Sequence, residues 1–111
     1  MKKNNEENLI GIRLEPAALV AYQPGAIVSR TVINKKVGTV TLFAFDRGQS
    51  LSEHTSPYDA MVQVVDGEGE FLVGKKPHTL RSGEMMIMPA QIPHAVRAVE
   101  KFKMMLVMIR A

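Results

Sequence analysis

Cysteine is absent from the 111 residues, which excludes disulfides, thiolate nucleophiles, and zinc or iron–sulfur centres held by sulfur. Aromatic residues make up only 5% of the chain, so base stacking has little to work with. The basic residues form no stripe: they fall as Lys2-Lys3, Lys35-Lys36, Lys75-Lys76 and Lys101/Lys103, for the most part at expected turns. The net charge of +3 therefore reads as solvated turns, and no nucleic-acid partner is expected. Long hydrophobic runs are missing too. The most apolar stretch, Met104 to Ile109, spans six residues, against the roughly 20 that a membrane-crossing helix needs. No apolar stretch follows Lys2-Lys3, so the N-terminus does not read as a secretory signal. A cytoplasmic protein with no membrane partner is expected.

What is present is strand-forming. A hydrophobic fraction of 46% in a chain of this length suits one domain that buries roughly two-thirds of its unfolded surface. Val37–Phe45 is rich in β-branched and aromatic residues and stops at Asp46-Arg47-Gly48. Ala60–Val65 reaches Asp66-Gly67, a hairpin signal, and Gly69–Val73 precedes Gly74-Lys75-Lys76-Pro77, so two strands with tight turns are expected there. His78–Leu80, Met85–Met88, Ala95–Val99 and Phe102–Arg110 continue the pattern. Short strands with turn signals about every 8–12 residues point to an all-β sandwich or small barrel. Helix is confined to Glu15–Val20, where Pro16 sits in a first turn and Pro24-Gly25 ends the run. The expected organisation is an N-terminal arm with a short helix and an edge strand over 1–30, and a barrel over 31–111.

The last strand is apolar on both sides. Phe102, Met104, Leu106 and Met108 alternate with Lys103, Met105, Val107 and Ile109, and a barrel interior covers only one of those faces. The other needs the N-terminal segment or a second copy of the chain, and a homodimer is expected. Eight methionines supply flexible thioethers that fill gaps in a narrow core or shape an adaptable apolar pocket.

Two glycine-spaced histidines dominate the chemistry: Gly48-x5-His54 and Gly83-x5-Pro89-x4-His94. Pro89 and Pro93 fix the loop before His94, whereas His78 belongs to neither pattern and reads as structural. The stretch from Gly48 to Ala98 resembles the two motifs of the cupin superfamily in its small single-domain form. Gly48, His54 and Gly67 match the first motif, and Gly83, Pro89 and His94 the second. The resemblance implies a double-stranded β-helix, or jelly-roll, barrel. It also implies a pocket at the barrel mouth holding Ser56, Ala60, Val62 and Met88, with His54 and His94 as metal ligands.

The departures weigh against a full metal site. Ser56 stands where the family has its second histidine and Ala60 where it has a glutamate, while Gln91 and Ala98 replace a glycine and an asparagine. Two of the four ligands that hold iron, manganese, nickel or zinc in family members are missing. Strand parity turns Asp59 and Gln63 away from the face of Ala60, so neither replaces the lost carboxylate unless a bulge at Pro57-Tyr58 shifts the register. Two function classes follow. One is a binding module that holds a small molecule beside His54 and His94, with or without a weakly held divalent metal. The other is a metal-dependent enzyme of dioxygenase, isomerase or decarboxylase type. The missing carboxylate favours the first, because it leaves no general base except the histidines.

Overall fold

The structure, a computed structural model, describes residues 9–110. A 3-10 helix, Pro16–Ala18, precedes eight strands: β1 Ile27–Lys35, β2 Gly38–Phe45, β3 Ser50–His54, β4 Ala60–Val73, β5 Lys76–Arg81, β6 Met85–Met88, β7 His94–Arg97 and β8 Phe102–Ile109. Every pairing between strands is antiparallel. The fold is all-β, a curled jelly-roll barrel, and the helical turn Pro16–Ala18 matches the short helix expected around Pro16. Among the described residues no helix is long and apolar enough to cross a membrane. At one end of the strand order lies β1, which begins at Ile27 and runs to Lys35.

β4 organises the barrel by serving two sets of neighbours. Its first half lies between β8 and β6, and its second half between β5 and β7. One sheet therefore runs β1-β2-β8-β4-β6, and the other runs β5-β4-β7-β3. The hairpin expected at Asp66-Gly67 does not form, and β4 passes straight through as one strand of 14 residues. Instead the register slips between Val64 and Asp66 opposite β8, and Gly67 takes a φ of +74°. A left-handed residue beside an extra residue in the ladder bends a strand without reversing it. Reversal occurs one turn later, where Gly74 and Lys75 both have positive φ, of 57° and 69°. Two consecutive left-handed residues make the type I′ turn of a tight two-residue hairpin.

Alternation along β4 sorts its side chains. Ala60, Val62 and Val64 are buried, whereas Met61, Gln63 and Val65 are only partly so. The inward set packs with Phe45, Phe71, Val96, Phe102 and Met104 into the main core. Phe102 lies at its centre, stacked on Phe45 at 4.8 Å between ring centroids and meeting Phe71 edge-on at 5.8 Å. Gly69 is shaped by that ring, since a Cβ there would fall 2.6 Å from it.

Outside the barrel, a second small cluster of Val20, Leu42 and Ala44, with Leu19, Tyr22 and Met105 against it, covers part of the outer face of β2 and β8. The arm is pinned there by polar ties. Lys103 Nζ donates to the Ala17 carbonyl at 2.6 Å, Arg30 to the Leu19 carbonyl at 3.0 Å, and the Tyr22 hydroxyl to Asp66 at 2.6 Å. Burial, followed by the bond to Asp66 and its charge, pushes the Tyr22 phenol well above its ordinary range. The ammonium groups of Lys101 and Lys103 stand 4.9 and 4.8 Å from the centre of the Tyr22 ring. Two of the basic pairs expected at turns straddle one, Lys35 ending β1 with Lys36 in the turn to β2, and Lys75 in the turn from β4 with Lys76 opening β5, but Lys103 lies within β8 and holds the arm.

Candidate functional site

His54 closes β3 and His94 opens β7, and the two are direct cross-strand partners. Directly opposed residues in an antiparallel pair project to the same side. That side is the barrel interior, because Val96, two residues beyond His94, is buried in the core, and Val73, the β4 partner of His94, packs against it. The imidazole rings lie 4.4 Å apart between centroids and cross at 72°. His94 is 4% exposed, whereas His54 is open to solvent, so the pair stands at the rim, with one ring inside and one at the surface.

Both rings are oriented by the same device. Nδ1 of His54 meets the Ser52 carbonyl at 2.9 Å, and Nδ1 of His94 meets the Ile92 carbonyl at 3.1 Å. A backbone carbonyl only accepts, so each Nδ1 must carry the proton. In the neutral state both Nε2 atoms therefore keep a free lone pair, the form in which a histidine accepts a hydrogen bond or ligates a metal.

The loops that carry the rings are stitched together. The Gln91 N–H donates to the Ser56 carbonyl at 2.8 Å, and the Ala90 N–H donates to Asp59 Oδ1 at 2.8 Å. Ser56 is buried, and its hydroxyl accepts the Tyr58 N–H at 3.1 Å, so it shapes the turn into β4. Gln91 occupies a family glycine position and holds a φ of +68°, the backbone that glycine adopts without strain. Asp59 is the site-forming residue that motif reasoning missed. Parity turned it outward, yet its carboxylate ties one histidine loop to the other across 31 positions of chain.

Of the four residues expected to line a pocket, Ala60, Val62 and Met88 lie buried in the main core, and Ser56 in the turn before β4. Ala60 and Met88 are cross-strand partners. Ala98, at the family's asparagine position, is buried and exchanges backbone bonds with Gly48 and Gln49. His78 sits on β5 opposite Phe71 and is half-buried. A surface cavity of about 710 Å³ between Leu14–Ala18 and Gln63–Val65 lies away from the histidines.

Burial is the main cause that holds His94 below the ordinary imidazole value. The neighbouring His54 pushes the same way, and the Ile92 carbonyl, which favours the charged ring, opposes both. A depressed imidazole pKa means the unfolded chain binds the proton more readily. The stability that His94 contributes is therefore complete above the unfolded value of 6.5 and is lost as pH falls from there through the folded value. Melting temperatures recorded from pH 7.5 to pH 5 should fall more steeply for the wild type than for His94→Gln. Equal slopes would show that His94 is solvated in the folded chain.

The profile of the cupin domain matches residues 41–110. Among solved structures, a conserved protein of unknown function from Streptococcus pyogenes is 34% identical, with 91% of this chain and 89% of that one covered and a TM-score of 0.86. A cupin 2 conserved barrel domain protein from Leptotrichia buccalis is 44% identical at a TM-score of 0.81, over 84% of this chain and 45% of that one. The present chain therefore spans under half the length of the Leptotrichia protein. A salicylate 1,2-dioxygenase from Pseudaminobacter salicylatoxidans, at 16% identity, a TM-score of 0.70 and coverage of 78% of this chain and 27% of its own, shares the fold alone. No curated protein matches the chain.

Proposed function

The chain belongs to the cupin-domain family, and from that premise we propose that it is a small-molecule binding module whose ligand meets His54 and His94 together at the barrel rim. The observation that supports this reading is the ring pair, 4.4 Å apart, with each Nδ1 spent on its own backbone carbonyl. Two Nε2 lone pairs on neighbouring rings select for a ligand that offers donors, such as a hydroxylated or ammonium-bearing molecule. The apolar residues beneath, with Val73 and Leu51 packed against the core, suit a ligand whose remaining body is apolar. The protein is expected to work in the cytoplasm.

The cofactor that the family implies does not fit this donor set as a resident ion. Among the described residues, no group of three or more His, Cys, Asp or Glu side chains lies close enough to hold a metal, and resident sites take at least three protein ligands. Two imidazoles suit a labile divalent ion that exchanges with buffer. Ser56 and Ala60, at the other two ligand positions, supply neither imidazole nor carboxylate, which argues against the enzyme reading as well.

Elemental analysis and native mass spectrometry of protein purified without added metal test the proposal. Metal-free protein that carries a small molecule, lost in a His54→Ala/His94→Ala double variant, is the expected result. One equivalent of iron, manganese, nickel or zinc retained through dialysis and lost in the double variant would favour the enzyme instead.

A further inference from the structure

The inward side of the β5-β4-β7-β3 sheet carries one polar row at the barrel rim. Lys76 pairs with Val73, Val73 with His94, and His94 with His54. Directly opposed residues project to the same side of a sheet, so Lys76 and His94 flank Val73 on the side that packs against the core. In the next row down, Phe71 and Val96 are buried. The rim therefore sets an exposed ammonium and two imidazoles in line above an apolar floor.

The hairpin tip that carries Lys76 is fixed to the loop that carries His94. The Gly74 N–H donates to the Pro93 carbonyl at 2.7 Å, and Ile92 lies against the same turn, its Cγ2 3.6 Å from where a Cβ on Gly74 would stand. Lys75 sits in the turn itself, outside the ladder. On the outer side of this sheet the acids are already matched, Glu68 with Arg81 and Glu70 with Arg97. Among the described residues, no carboxylate pairs with the Lys76 ammonium.

We infer that the ligand of the rim site is a carboxylic acid with a hydrogen-bond donor at its opposite end, the donor meeting the imidazole pair and the carboxylate meeting Lys76. The inference rests on the binding role proposed for His54 and His94, and adds the charge of the ligand's far end. Neighbouring strands lie about 4.8 Å apart, so the backbones of Lys76 and His94, one strand to either side of Val73, are separated by about 10 Å. The two side chains lean over that gap, which suits a molecule whose polar ends flank an apolar middle of several carbon atoms. A carboxylate at the Lys76 end gains a charge-assisted hydrogen bond, whereas a cation there meets like charge.

Titration of the full chain at neutral pH with 4-hydroxybenzoate and with its uncharged analogue 4-hydroxybenzamide, followed through the imidazole Nε2 resonances, is the test. The wild type should bind the acid about tenfold more tightly than the amide, as one charge-assisted contact allows. Lys76→Gln should abolish that preference and leave the amide affinity unchanged. Lys75→Gln, which removes the same charge from the adjacent position, should retain the preference. Both lysines are exposed, so both variants should fold. A preference lost equally in the two variants would trace it to general surface charge and overturn the inference. Equal binding of acid and amide by the wild type, or a preference that survives Lys76→Gln, would overturn it too. In those cases, probe binding that His54→Ala/His94→Ala removes would leave the role of the pair standing. If neither probe moved either resonance, both readings would fall together.

Discussion

Phe102→Ala is expected to lower stability by about 3–5 kcal/mol, the range for deleting a large aromatic ring from a packed core. The ring is fully buried, stacked on Phe45 and met edge-on by Phe71, and aromatic pairs in such geometry contribute beyond the area they bury. Its removal opens a void between the two sheets. Urea unfolding followed by circular dichroism measures the loss, and a change below about 1 kcal/mol would mean that the neighbouring side chains collapse into the space. Gly69 offers an internal check. Its Cβ would strike the Phe102 ring at 2.6 Å, so Gly69→Ala should be damaging in the wild type and close to harmless once Phe102 is alanine. That non-additivity identifies a shared cavity.

Gly67→Ala is the second large effect. The new Cβ would meet the Lys101 carbonyl at 2.6 Å and the Phe102 Cα at 3.2 Å, both backbone atoms that cannot swing aside. A left-handed backbone also costs an alanine about 1–2 kcal/mol, and overpacking of this kind adds about 1–3 kcal/mol. The expected result in the same unfolding experiment is a loss comparable to that of a core truncation, from a residue that is itself exposed. A neutral substitution would mean that the bulge in β4 can be ironed out without penalty.

Gly67 also marks where the sequence misleads. Asp66-Gly67 and Gly74-Lys75 both look like turns, and both glycines have positive φ. A type I′ hairpin needs two consecutive left-handed residues, and only the second site has them. At Gly67 a single one suffices for a bulge, and what decides between bulge and reversal is the partner on the far side, Phe102, more than 30 residues later. Local chemistry cannot report that. Burial parity, in contrast, is a local property of a strand, so the inward set of β4 and the two-sided apolar character of β8 were both legible. The cover on the outer face of β8 was legible only as a need. The structure supplies part of it from Val20 and Tyr22 through contacts with no periodic signature.

The candidate site divides the same way. The meeting of His54 with His94 followed from motif spacing, because each histidine sits at a strand end whose position the neighbouring glycine and prolines determine. The tie from Asp59 to Ala90, and the left-handed backbone of Gln91, lay beyond it, since both depend on how two distant loops dock.

The proposed binding function requires His54 and His94 to act as one acceptor pair through their Nε2 atoms. Long-range proton–nitrogen correlation spectra of the imidazoles, recorded above pH 7 during a zinc titration, test it most directly. Both rings should start with the proton on Nδ1, and both Nε2 resonances should then move together with a single apparent affinity. Either ring with its proton on Nε2, or two Nε2 signals that titrate independently, would contradict it.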